Sequence, residues 1–188
     1  MKRVFITMLA IVTAMMQMAV MAAQEPTQRR AQVKQYSELE FGLPVNARVV
    51  YDRQKAGLIE YMATDEAQKH IKMECVDGRL VCSYAKGRSS RSGRNESQNA
   101  LKSMVIYTYG SLSEVKVKGV GSVSLDENIL KQQPRLVVTG VGNITASKVR
   151  PVSLAVEITG TGLVKIEDLK LNADGCLNVD NRGVGRIY

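Results

Sequence analysis

Apolar and polar residues alternate along most of this chain, and in its last third the alternation itself repeats. Four stretches carry a Gly-x-Gly: Gly119/Gly121, Gly140/Gly142, Gly160/Gly162 and Gly183/Gly185, with first glycines 21, 20 and 23 residues apart. Two and four residues ahead of the first glycine stand Val117 and Val115, Val138 and Leu136, Ile158 and Val156, and in the last copy Asn181 and Val179. Two residues past the second glycine stand Val123, Ile144, Val164 and Ile187. All share one parity with the glycines, and period-two alternation marks one face of a strand. The inward face therefore runs through each Gly-x-Gly without slipping. An inward position with no side chain lets the backbone bend towards the core or approach a neighbour. The middle residues Val120, Val141, Thr161 and Val184 are expected to point outward.

A repeat of about 20 residues without a helical pattern suggests one coil of a solenoid, here about four coils. The leucine-rich repeat has a similar period, but its spaced leucines and asparagine ladder are missing. Plain β-hairpins or a sandwich remain the alternative.

Upstream, residues 1–23 read as a secretory signal peptide: Lys2 and Arg3 lead an apolar run, and small residues near Ala22 and Ala23 offer cleavage sites. Residues 24–34 are polar and read as a flexible lead-in. An N-terminal β region follows over 35–112. Tyr36, Leu39 and Phe41 anchor its first element, and Gly42-Leu43-Pro44 turns the chain. Strands are expected at Val45–Tyr51 and Leu58–Met62, paired with each other. Thr64–His70 is the one helix candidate, with Thr64 as its cap. Strands Ile71–Val76 and Arg79–Ala85 flank an Asp77-Gly78 hairpin turn. Lys86–Asn99 is a basic, Ser/Gly-rich loop carrying Arg88, Arg91 and Arg94. A strand at Ser103–Tyr109 precedes the repeats, which occupy 113–188.

This order of features resembles the head GIN domain family of auto-transporter adhesins, common in Bacteroidota. The resemblance rests on Tyr61-Met62-Ala63-Thr64-Asp65-Glu66-Ala67-Gln68-Lys69-His70-Ile71, on Asp77-Gly78-Arg79-Leu80-Val81, on the strand ending at Gly110-Ser111-Leu112, and on the Val-x-Gly-x-Gly-x-Val/Ile coils. It implies an exported all-β domain, periplasmic or at the cell surface, whose C-terminal part coils as a right-handed β-helix, and it brings no catalytic residues. The expected fold is all-β: N-terminal strand pairs with one short helix leading into a short right-handed β-helix-like solenoid of about four coils. Two departures stand out. The basic loop is long, and the second glycine is followed by Ser122, Asn143, Leu163 and Arg186, where the family commonly has Asp or Asn.

The net charge of +8, to which Lys2 and Arg3 contribute, either serves solubility alone or draws the protein to anionic glycans or membrane surfaces; an exported protein seldom meets nucleic acid, so none is expected. Few aromatics and no Trp argue against an aromatic sugar-stacking platform. The three cysteines, Cys75, Cys82 and Cys176, leave at least one thiol free. A two-residue turn sets Cys75 opposite Leu80; a four-residue loop sets it opposite Cys82. A bridge and two apolar core thiols both fit. Three thiols and one histidine show no paired ligand spacing, so neither metal nor cofactor is expected.

Catalytic signals are thin. His70 is the lone histidine, Gly-x-Ser-x-Gly is absent, and each Gly-x-Gly leads into a strand rather than a phosphate-binding helix. Glu114, Asp126, Glu127, Glu157, Glu167, Asp168, Asp174 and Asp180 are the carboxylates available for glycoside chemistry, but they alternate with apolar residues or sit at turns, as solvated charges on a sheet do. The candidate partner surfaces are the outward row Val120, Val141, Thr161 and Val184, the basic loop, and the edge of the last coil. The favoured function is a non-catalytic exported domain, without a transmembrane segment in its mature part, that binds a glycan or an envelope protein. A carbohydrate-active enzyme on a β-helix, and a module that self-associates as a homodimer through its terminal coil, are the competing readings.

Overall fold

The structure, a computed structural model, describes residues 25–85 and 101–188. The leader read at 1–23 and the whole basic loop, with Arg88, Arg91 and Arg94, lie outside the described residues. In chain order the elements are β1 (Thr27–Gln32), β2 (Glu38–Phe41), β3 (Asn46–Tyr51), β4 (Leu58–Ala63), α1 (Asp65–Gln68), β5 (Ile71–Val76), β6 (Arg79–Tyr84), β7 (Leu101–Thr108), β8 (Leu112–Val117), β9 (Ser122–Leu125), β10 (Leu130–Val138), β11 (Val141–Val149), β12 (Leu154–Ile158), β13 (Thr161–Leu169), β14 (Leu177–Asn181) and β15 (Val184–Ile187). They form two mixed sheets, ordered β1-β4-β7-β3-β9-β11-β13-β15 and β14-β12-β10-β8-β2-β6-β5. One hydrophobic core lies between the sheets.

The repeat strands are paired in parallel, not as hairpins. β8, β10, β12 and β14 run side by side in one sheet, and β9, β11, β13 and β15 in the other. Two further layers continue this stack. β2 and β3 lie parallel to β8 and β9, and β6 and β7 lie parallel to β2 and β3. The antiparallel strands collect beyond them, with β5 on β6, β4 on β7 and β1 on β4.

Two expectations are corrected. β3 and β4 do not pair, because β7 lies between them, and its buried Ile106 stands in register with Val49 on one side and Ile59 on the other. Three apolar residues abreast bury more surface than a two-stranded pairing would. The supposed lead-in contains β1, which pairs antiparallel with β4 from Thr27–Ala63 to Gln32–Leu58. It is an edge strand, and its polarity is what an edge needs to resist pairing with other chains. Arg29 meets Asp65, and Arg30 reaches Glu60 at 3.1 Å.

The glycine pairs sit where the chain passes from one sheet to the other, and none has a positive φ; among the described glycines only Gly57 and Gly78 do. Close approach, not left-handed backbone, explains them. A Cβ on Gly142 would collide with the carbonyl oxygen of Gly121, one on Gly162 with that of Gly142, and one on Gly185 would come within 2.5 Å of that of Gly162. Each corner nests on the backbone of the corner before it. The layer β2/β3 spans the same corner with the same number of residues but carries Leu43 and Val45 at the glycine positions, both buried. In the neighbouring layer residues 85–100 separate β6 from β7 along the chain.

Local signals explain the rest. Thr64 caps α1 by accepting from the Ala67 amide at 3.2 Å. Asp77 and Gly78 have φ of 50° and 76°, the pair of left-handed residues that a two-residue type I′ hairpin turn requires. That turn sets Cys75 opposite Leu80 and Met73 opposite Cys82, so the two cysteines are diagonal, and both are free thiols.

Tyr36 is buried with its ring edge-on to Tyr109, and its hydroxyl faces the buried Thr108 side chain without a hydrogen bond of good geometry. An orphaned buried hydroxyl costs about 1–3 kcal/mol. Tyr36→Phe keeps the ring contact, and it is expected to leave stability unchanged or raise it by about 1 kcal/mol in urea unfolding. A loss of stability would mean the hydroxyl is paired.

Burial also pushes the Cys82 thiol up from 9.0 to about 12. The folded chain therefore keeps a proton that the unfolded chain gives up, so stability falls as pH rises through that window. The urea midpoint is expected to drop between about pH 9 and about pH 12, and less steeply in Cys82→Ala. At neutral pH a thiol reagent should label exposed Cys176 first and Cys82 only on unfolding.

Candidate functional site

The outward middle residues of the glycine corners form a continuous row. Val141, Thr161 and Val184 are in direct register. Val120 is 65% exposed, Val141 55% and Val184 78%, and Thr161 is exposed beside them. Pro44 holds the equivalent place in the β2/β3 corner. The row ends in a shallow hollow of about 430 Å³ lined by Pro44, Val45, Asn46, Leu101, Lys102 and Val120. Leu101 and Lys102 begin β7 and line the hollow with Val120. Beside the row runs a second file, Asn46, Ser122, Asn143, Leu163 and Arg186, in which the Asn143 amide donates to the Ser122 hydroxyl at 3.3 Å.

The final layer is only half covered. Leu177 and Val179 are in register with buried Leu154 and Val156, yet they are 45% and 47% exposed, β14 being the edge strand of its sheet among the described residues. Asp180 and Arg182 pair with each other at this edge, at 2.6 Å.

Of the candidate carboxylates all but Asp174 pair with a base. Across the outer face of one sheet, Arg79 spans Glu38 at 2.6 Å and Glu114 at 3.8 Å, and Arg135 spans Glu114 at 3.4 Å and Glu157. Glu167 pairs with Lys165 at 3.2 Å, and Asp168 with Arg150. The hydrogen bond from Arg150 holds the Asp168 carboxyl below its ordinary range. His70 lies 3.2 Å from Glu66, its helical neighbour, and no serine hydroxyl is among its partners. Among the described residues no group of His, Cys, Asp and Glu is placed to hold a metal ion, and no helix is long and apolar enough to cross a membrane.

A larger open cleft, of about 760 Å³, lies where β3 and β9 end. Arg48, Tyr51, Asp126, Glu127, Asn128 and Ser147 line it. The Arg48 guanidinium grips Asp126 through two hydrogen bonds of 3.0 and 2.9 Å. Sequence reading overlooked this surface. Tyr51 is inward by strand parity, and only the end of β3 frees it. The turn after Asp126 carried no glycine to mark it, although Asn128 takes a φ of 58°.

A family model described as "Putative auto-transporter adhesin, head GIN domain" matches residues 35–186. The chain belongs to this family. Among solved structures, a "putative lipid binding protein" from Parabacteroides distasonis has a TM-score of 0.52 at 14% identity, covering 87% of this chain and 73% of the other. A "putative adhesin" from Bacteroides fragilis gives 0.48 at 17% identity, with 87% and 96% covered. The first likeness shows a shared fold and nothing more. Among curated proteins none matches this chain in sequence. For this head GIN domain chain, family membership agrees with an exported or surface-located protein.

Proposed function

We propose that the chain is a non-catalytic, exported cell-envelope or surface domain that binds a partner, either a glycan or an envelope protein. Its scaffold is a short right-handed β-helix-like solenoid of about four coils, extended on one side by the layers β2/β3 and β6/β7. The observation that carries this reading is the exposed row Val120, Val141, Thr161 and Val184. Exposed apolar patches of this kind mark interaction surfaces. The row suits an envelope protein best, and Arg88, Arg91 and Arg94 are kept from the sequence as anion-seeking candidates. The test is capture from an envelope extract by the exported, purified protein, set against a Val141→Ser/Val184→Ser double variant. Capture that the variant loses supports the reading; capture that it retains moves the site elsewhere.

The half-exposed Leu177 and Val179 favour a second reading, self-association through the final layer. Sedimentation at high concentration tests it. A dimer that Val179→Lys dissociates supports it, and a strict monomer removes it.

A further inference from the structure

We infer that the cleft at the ends of β3 and β9 is a binding site for a neutral saccharide chain. This rests on the reading above that the domain binds rather than catalyses, and it adds a site remote from the apolar row. The cleft's volume of about 760 Å³ falls within the roughly 300–1,000 Å³ typical of ligand clefts.

The chemistry of the lining selects the ligand. Tyr51 is 47% exposed, and its ring offers an apolar face with a polar tip, the surface on which the C–H face of a pyranose packs. Arg48 spends Nε and one Nη2 hydrogen on Asp126, so its remaining N–H groups stay free to donate. Each Asp126 oxygen accepts one of those bonds and keeps a lone pair for a ligand hydroxyl. Donor and acceptor therefore stand side by side in a fixed plane, matching two neighbouring hydroxyls that each give and take a hydrogen bond. The bidentate pairing holds the Arg48 guanidinium more firmly protonated and locks the plane. Asn128, held with φ at 58°, adds a carboxamide at the rim, and Ser147 adds a hydroxyl.

Charge decides against an acidic ligand. Among the lining residues the only base is Arg48, against the acids Asp126 and Glu127, and Glu127 is already paired with Lys148 at 3.0 Å. An incoming uronate would meet two carboxylates whose charges already balance those of Arg48 and Lys148, leaving no surplus cation to receive it. The chain's overall surplus of +8 does not extend to this surface. A neutral polyol loses nothing by entering, because it breaks no ion pair.

The full chain, purified after export and labelled with 15N, is titrated with cello-, manno-, malto- and chitohexaose and with trigalacturonate. At least one neutral hexamer should shift the amides of Tyr51, Ser111 and Asn128 with a Kd of about 1 mM or tighter, and trigalacturonate should bind at least about tenfold more weakly. Tyr51→Ala should weaken the neutral ligand about tenfold or more. Asn128→Gly, which keeps the left-handed backbone, should weaken it severalfold should the Tyr51 variant fail to fold. The inference is overturned if no neutral hexamer binds, if trigalacturonate binds more tightly, or if the shifts fall on Val141 and Val184. The last of these leaves the proposed function standing. So does an envelope protein captured in the absence of any glycan binding, whereas the failure of both assays sinks both readings.

Discussion

Gly162→Ala is expected to cost more than about 3 kcal/mol and to leave the protein largely unfolded at moderate urea. The added methyl would collide with the carbonyl oxygen of Gly142 and crowd Val138 Cγ1 at 3.2 Å. A side chain in the way can rotate, but a backbone carbonyl fixed by ladder hydrogen bonds cannot. The layers would have to separate at that corner, and the separation would break the pairing of β11 with β13. Gly110→Ala is the matched control: a Cβ there meets nothing within 4 Å, and the residue has no positive φ. It should be neutral or stabilise by about 0.4–1 kcal/mol. Equal effects at the two positions would show that the Gly162 corner is not closely nested.

Phe41→Ala should destabilise by about 3–5 kcal/mol, the usual cost of emptying a phenylalanine site in a packed core. Phe41 is fully buried and lies in register with Val117 of β8 and Cys82 of β6. Its ring also covers Gly121, where a Cβ would stand 3.1 Å from its Cε1. Combining Phe41→Ala with Gly121→Ala should not rescue stability, because the Val45 carbonyl, 2.6 Å from the same Cβ, still blocks the methyl. A rescue in urea unfolding would mean that the side chain, not the backbone, excludes a residue at 121. A loss below about 1 kcal/mol for Phe41→Ala alone would remove β2 from the central stack.

How much of this was legible followed from how local each signal is. Parity is local, so the inward faces of β8 to β15 and the outward positions of Val120, Val141 and Val184 were readable from the chain. So were the Thr64 cap and the Asp77-Gly78 turn, since both rest on neighbouring residues. Strand partners are not local. The Leu43 and Val45 corner hides its kinship with the glycine corners, because side chains stand where the later layers carry glycine. The position of β7 between β3 and β4 depends on residues roughly 50 apart and leaves no mark in either strand. The glycines were seen in sequence, but whether they served bending or close approach needed the facing carbonyls. The cleft was missed for a similar reason: Arg48 and Asp126 are 78 residues apart, and only the pairing of β3 with β9 joins them.

The central claim is that the N-terminal strands β2 and β3 continue the parallel stack begun by the glycine repeats. Backbone nuclear Overhauser effects between neighbouring strands test it most directly. Parallel pairing predicts cross-strand Hα–HN contacts linking Leu39 with Val115 and Ala47 with Val123. Absence of these contacts, or close Hα–Hα contacts between β2 and β8 or between β3 and β9, the mark of antiparallel pairing, would contradict it.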